Sequence, residues 1–299
     1  MLPHCLLVLC ALLAAAPSAQ EAAVSHPFIC CDNGLNRAFV VSAQGDITWE
    51  FPVEGGQDVW RLPNGNYLLS NVHGAQEVTP EQQVVWEYQS PAGTEVHTCQ
   101  PLPDGRVMLV ECGTSRIVEV DRTGEVVKML KLSTATAEVH LQFRNARKLP
   151  NGHYLIACVG DKKLLEVDGD GHVVWEYTTP GNVFAGIRLP DGNTLIACGD
   201  GHKVIEIDPQ GNVVWQIDET ELPGLPLRFV AGLQRLPNGN TVVCNWGGHG
   251  HIGEQPLIFE VTRDKQVVWK VEAYDRFRTI SGVQLLDIEG DVTRGEVRR

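Results

Sequence analysis

The sequence predicts an all-β fold, a six-bladed β-propeller of four-stranded antiparallel blades, on three observations. A Leu-Pro-(Asn/Asp)-Gly turn recurs from Leu62, Leu102, Leu149, Leu189 and Leu236, at spacings of 40, 47, 40 and 47 residues. Each copy carries a Glu-(Val/Ile) step, and most copies close on a Trp. Self-similarity at this period marks a propeller or a solenoid, where each unit buries its apolar face only against its neighbours.

The copy over residues 184–217 shows how a blade is built. Short β-prone runs at 185–189, 194–198, 204–207 and 213–217 are separated by Pro190-Asp191-Gly192, by a glycine-rich link, and by Asp208-Pro209-Gln210-Gly211. Pro pre-sets the first turn, Asp or Asn closes it locally, and Gly takes the positive φ that the hairpin needs. Asp121-Arg122-Thr123-Gly124 and Asp168-Gly169-Asp170-Gly171 repeat the second turn. Asp168 to Gly171 lacks the ligand count of a calcium loop, so it reads as a turn.

Glu77, Glu119, Glu166, Glu206 and Glu260 share one strand position, which predicts a structural role between blades, since one active site has no use for a ring of identical acids. Trp49, Trp86, Trp175, Trp215 and Trp269 end the outer strands as packing residues, and Lys128 takes that place in one blade. The two ends supply the sixth blade. Ser281-Gly282-Val283-Gln284 matches Ala231-Gly232-Leu233-Gln234 and offers an innermost strand, and residues 28–31, 38–41 and 47–51 offer the other three. Joining the ends removes the exposed sheet edges.

The bulk properties agree with one large repeat domain: 299 residues, 43% hydrophobic and 20% charged. A net charge of −13 opposes nucleic acid and anionic lipid surfaces, which are held by Lys and Arg, so neither is an expected partner. The apolar run over residues 6–16, followed by Pro17, Ser18 and Ala19, has the length and exit of a signal-peptide core. Residues 1–23 are therefore expected to be a signal peptide and residues 24–299 the propeller, secreted or periplasmic and monomeric. Seven cysteines remain beyond it, an odd number that cannot all pair. Cys158 and Cys198 fall at the end of the second strand in successive copies, where a small buried side chain is expected. Cys30 and Cys31 are neighbours on a strand and should point to opposite faces.

The tight turns of a blade lie on one face, and the connections after strands two and four lie on the other, around the central channel. His73, His202, His249 and His251 fall after second strands, and His97 and His140 fall where the chain enters an innermost strand, whereas His153 and His172 sit in tight turns. Counting from the recurrent Glu makes His73 and His202 equivalent, with Ser115, Lys162, Asn36 and Pro256 in the other copies. Counting back from the Leu-Pro turn makes His97 equivalent to Arg144, with Gln57, Phe184, Ala231 and Ser281 elsewhere. A unique site belongs where the copies diverge. The run from His140 to Arg147 is the densest polar entry to an innermost strand, and its Arg144 offers a planar fork suited to carboxylate, sulfate or phosphate. The segment from Asn245 to His251 is glycine-rich and carries Trp246 outside the repeat, as a lid or ligand platform would. His73, Arg147, His202, Trp246 and His251 complete the expected ligand-binding set. A metal ion is a candidate cofactor for imidazoles drawn from several blades, although no dense ligand spacing marks a metal site.

The repeat, with Leu189-Pro190-Asp191-Gly192-Asn193-Thr194-Leu195-Ile196-Ala197-Cys198-Gly199 and Val213-Val214-Trp215, resembles bacterial pyrroloquinoline-quinone-like and arylsulfotransferase-like propeller proteins over nearly the whole mature chain. Quinone-dependent dehydrogenases of the eight-bladed kind share the Trp-ended blade and set a vicinal disulfide against the cofactor. This chain is too short for eight blades and its Cys30-Cys31 pair lies on a strand, so quinone binding is not expected. The arylsulfotransferase resemblance implies six blades with His97, His140, Arg144 and His249 as the catalytic candidates, one histidine acting as nucleophile and Arg144 holding the anionic group. The expected function is the binding or transformation of a small anionic molecule in a His/Arg-lined channel. The alternative is a non-enzymatic scaffold that binds a protein or carbohydrate on its loop face.

Overall fold

Each Leu-Pro-(Asn/Asp)-Gly step is the hairpin between the first two strands of a blade. In one copy the Leu189 N–H donates to the Asn193 carbonyl at 2.8 Å, the Gly192 N–H to the Leu189 carbonyl at 3.0 Å, and the Asn193 N–H to Asp191 Oδ1 at 3.0 Å. Gly192 stands at φ +90°, a conformation that costs glycine least. The computed structural model describes residues 24–299, and the expected signal peptide over residues 1–23 lies outside them.

Six four-stranded antiparallel sheets result. From the axis outward, blade 1 is Ile280–Leu285, Phe28–Asp32, Arg37–Val41 and Ile47–Pro52. Blade 2 is Val59–Arg61, Tyr67–Asn71, Gly74–Val78 and Val84–Gln89. Blade 3 is Glu95–Pro101, Val107–Cys112, Arg116–Val120 and Val126–Lys131, and blade 4 is Phe143–Lys148, Tyr154–Cys158, Lys163–Val167 and Val173–Thr178. Blade 5 is Ala185–Arg188, Thr194–Ala197, Lys203–Ile207 and Val213–Asp218, and blade 6 is Val230–Arg235, Thr241–Asn245, Ile258–Val261 and Val267–Val271. Blade 1 closes the ring, with Cys30 opposite Val283 across an antiparallel pair. Among the described residues no helix is long and apolar enough to cross a membrane.

The recurrent acids tie each blade to the next. Glu77 meets Arg122 at 2.6 Å, Glu119 meets Lys148 at 2.5 Å, Glu166 meets Arg188 at 2.7 Å, Glu206 meets Arg235 at 2.7 Å, and Glu260 meets His26 at 2.8 Å. The outer-strand tryptophans sit opposite these acids and receive the same cations on their faces: Arg122 over Trp86 at 5.3 Å, Arg188 over Trp175 at 4.7 Å and Arg235 over Trp215 at 5.9 Å. Between blades 1 and 2 the acid is replaced by Val40, which pairs with Trp49, and the junction is apolar, with Trp49 packed on Tyr67 at 4.3 Å between centroids.

The seven cysteines are free and buried, as packing residues. Cys30 joins the apolar cluster that contains Val283 and Cys31 joins the one that contains Trp49, on opposite faces of their strand. Burial pushes the Cys198 thiol up to about 12.

Candidate functional site

The innermost strands converge on the axis and do not run smoothly. Their pairing register slips between Val96 and Cys99 in blade 3, between Phe143 and Ala146 in blade 4, and between Val230 and Leu233 in blade 6. A bulge kinks the strand and re-aims the residues within it, and here those residues are His97-Thr98, Arg144-Asn145 and Ala231-Gly232. Gln57, His97, Asn145, Phe184, Gly232 and Ser281 line one axial cavity together with Asp58, Arg147 and Arg299. Its volume is about 10 Å³, the room of roughly one water.

His97 is the focus of the loop-face end. It is 4% exposed, and neither ring nitrogen has an aligned hydrogen-bond partner. Glu95 Oε2 lies 3.2 Å from His97 Nε2, an ionic approach without hydrogen-bond alignment. His140, on the 3-10 turn Val139–Leu141, stands edge-on to His97 with ring centroids 5.3 Å apart. His140 Nδ1 is 2.8 Å from Glu95 Oε2, and Arg144 Nη2 is 2.9 Å from His140 Nε2. Because a guanidinium can only donate, His140 Nε2 accepts, and its proton resides on Nδ1 facing Glu95. Arg144 is buried, its Nη1 donates to the His140 and Phe143 carbonyls, and among the described residues no carboxylate pairs with it directly.

The electrostatics follow from this packing. The His97 and His140 contacts hold the Glu95 carboxyl at about 2. Burial first, and the Arg144 charge second, pull His97 down to about 4, so its imidazole is neutral at physiological pH with a lone pair left bare. Burial also lowers Arg144.

The same cavity is closed on its turn-face side. Asp58 accepts from Arg147 Nη1 at 2.8 Å, Arg147 Nη2 at 3.2 Å, Arg299 Nη2 at 3.1 Å and Thr98 Oγ1 at 3.0 Å. Both guanidinium groups stack on Trp60, Arg299 at 4.1 Å and Arg147 at 4.8 Å from the ring centroid. Arg147, an expected ligand-binding residue, thus works in the channel floor. Asp58 and Arg299 were not singled out from the sequence. Asp58 could have been, since the same count back from the turn gives Thr98, Asn145, Ala185, Gly232 and Gly282, none of them acidic.

The remaining candidates stand apart from the axis. His202 occupies the left-handed position of a middle-strand hairpin at φ 53°, as do Asn36, Ser115 and Lys162 in other blades, whereas His73 does not share that conformation. His73 is exposed, 3.9 Å from Glu54. His251 meets Glu254 at 2.9 Å, and Arg228 reaches the same carboxylate at 3.2 Å. Trp246 and His249 pack edge to face at 4.9 Å, and Trp246 Nε1 donates to Asn33 Oδ1 at 3.0 Å. A Cβ on Gly248 would lie 1.8 Å from the Trp246 ring, so glycine is required for this close approach. Phe229 links Trp246, at 5.4 Å, to Phe184 of the axial ring, at 6.0 Å.

Glu95, His97 and His140 bring potential metal-ligating atoms within 4.8 Å of one another. The hydrogen bonds oppose that use. A metal on His140 Nδ1 would displace the proton to Nε2, where it would face the Arg144 donor. The arrangement suits a buried cation, a neutral imidazole and a hydrogen-bonded carboxylate acting together on a polar ligand.

Comparison with solved structures places this architecture among known propellers. A protein of unknown function from Bacteroides caccae is 29% identical, covering 87% of this chain and 98% of that one at a TM-score of 0.80. A catalytically inactive histidine-to-alanine variant of virginiamycin B lyase from Staphylococcus aureus, solved with quinupristin, is 12% identical, covering 84% and 87% at a TM-score of 0.57. A functionally unknown protein from Desulfotomaculum acetoxidans is likewise 12% identical, covering 89% and 100% at a TM-score of 0.57. The last two likenesses are of fold. No curated protein sequence matches the chain. The sequence pattern of the Mal s 1 allergenic protein-like family matches residues 36–266, and the chain belongs to that family.

Proposed function

We propose that this propeller binds a small anionic ligand at the loop-face mouth of its channel, with Arg144 supplying the charge and His97 a neutral imidazole. The observation that carries this reading is the set of buried polar atoms left without partners around one cavity: both nitrogens of His97, Gln57 Oε1 and Ser281 Oγ. Unsatisfied buried groups cost roughly 1–3 kcal/mol each; the space they share takes about one water, so the anion of this reading sits above it, beside Arg144. Arg144 adds a buried positive charge with no direct carboxylate partner among the described residues.

A second reading, sulfuryl transfer, rests on the arylsulfotransferase resemblance and on the bare lone pair of His97. In it an imidazole nitrogen of His97 attacks sulfur, the bond from sulfur to the aryl oxygen breaks, the phenolate leaves, and Arg144 holds the sulfuryl oxygens. Export follows from the apolar run at residues 6–16 and would place the site outside the cytosol.

Thermal melts with sulfate and with phosphate test binding. The wild type is expected to gain stability as RT ln(1 + [L]/Kd), about 2.7 kcal/mol at a hundredfold excess over Kd, and Arg144→Gln and His97→Ala are expected to lose that gain. A wild type that responds to neither anion sinks the reading and leaves the loop face to a protein or carbohydrate partner. Turnover of an aryl sulfate, abolished by His97→Ala, would favour transfer over binding alone.

A further inference from the structure

The largest cavity bordering the channel lies on the opposite face, and nothing in the proposed function uses it. Residues beyond the last strand cross the turn face, where the Arg235 N–H donates to the Arg298 carbonyl at 2.9 Å. Between this segment and the inner ends of blades 4 and 5 is a cavity of about 420 Å³, within the range of small-molecule sites. Leu149, Pro150, Ile187, Leu189 and Pro190 form its apolar walls, and Trp60 lines it beside the channel floor.

Its charge is one-sided. Arg147, Lys148, Arg188, Arg294, Arg298 and Arg299 border the cavity, against one side-chain carboxylate, that of Glu296. Lys148, Arg188 and Arg294 have partners in Glu119, Glu166 and Asp291. Arg147 and Arg299 share the one carboxylate of Asp58, and Arg298 has no ion-pair partner among the described residues. Arg299 is also buried with its Nε unpartnered. In a chain of net charge −13 this concentration of cations is local.

We propose that this turn-face cavity is a second binding site, for an organic acid with an apolar body: the acid group lies against Arg298 and the apolar body fills the space between the Leu-Pro turns. The volume exceeds what a lone inorganic anion fills, and the apolar walls give no reason for a purely polar ligand.

Calorimetry with 2-naphthoate, 2-naphthalenemethanol and acetate tests it on the intact protein. Naphthoate is expected to bind at least about tenfold tighter than either the uncharged alcohol or acetate, and more weakly as salt is raised. Arg298→Gln is expected to cost about tenfold in naphthoate affinity, and His73→Ala is expected to leave it unchanged because that residue is exposed and lines neither cavity. Equal binding of naphthoate and the alcohol, or no effect of Arg298→Gln, overturns the proposal. Loss of naphthoate binding in His73→Ala would assign the acid to the loop face and equally overturn it. Should Arg298→Gln not fold, the wild-type comparison of naphthoate with the alcohol and its salt dependence decide the matter.

Discussion

The loop-face side of the axial cavity and its floor are made from the same inner strands and satisfy their polar groups to different degrees. At the turn-face end Asp58 accepts from both Arg147 and Arg299, and the indole of Trp60 covers both guanidinium groups. On the loop-face side His97 and Ser281 are as buried and Gln57 is partly buried, yet all three carry atoms that bond to nothing in the chain. The floor leaves one buried nitrogen, Arg299 Nε, without a partner, whereas His97, Gln57 and Ser281 leave four atoms bare. A buried group satisfied by its own chain needs no visitor, whereas a buried group left bare is completed only by something from outside.

The largest expected effect of breaking this contrast is at the floor. Asp58→Ala strands two buried guanidinium groups and is expected to cost about 3–5 kcal/mol in chemical denaturation; a loss under about 1 kcal/mol would show that the floor is not the stabilising end. Next comes the acid limb of the stability profile. The folded-state pKa of His97 is about 4, below its ordinary 6.5, so between those values the unfolded chain binds a proton that the folded chain refuses. Stability should therefore fall as pH drops through that window, by up to about 1.4 kcal/mol per unit, and His97→Leu should flatten the slope.

His26 should do the reverse. Its hydrogen bond to Glu260 raises its pKa, so its contribution is full below the ordinary value and is lost as pH rises through the folded one, a loss absent from His26→Leu in melts above neutrality. A smaller effect is expected from His97→Leu at neutral pH, a gain of about 1 kcal/mol because an unsatisfied imidazole is removed, together with loss of the anion response. Smallest of all, His73→Ala and His202→Ala should each stay within about 0.5 kcal/mol of the wild type and leave anion binding untouched.

The fold was legible because turn chemistry is local. Asn or Asp before Gly at the first hairpin, and the acid opposite Trp on the outer strands, announce themselves wherever they recur. The axial ring was legible for the same reason in reverse: counting from the turn exposed His97 and Arg144 as departures, and the structure sets both at bulges of the innermost strands. What stayed hidden depends on contacts between distant segments. Arg299 lies outside every repeat, so the register that marks Asp58 as the one acid at its position does not supply its partner, and Glu95 gains its role only when His140 folds back over it. His202 misled because a shared register does not fix a side chain's partner: its ring bonds the Leu227 carbonyl, whereas His73 stands beside Glu54.

Closure by the chain's own extremities has a consequence for how the molecule comes into being. During synthesis blades 2 to 6 can assemble as they emerge, but the sheet begun by Phe28–Asp32 waits with a bare inner edge until Ile280–Leu285 is made. Ser281, which completes the axial ring, arrives with that final strand, so the proposed binding mouth does not exist on any partial chain and its appearance coincides with the loss of the last open edge.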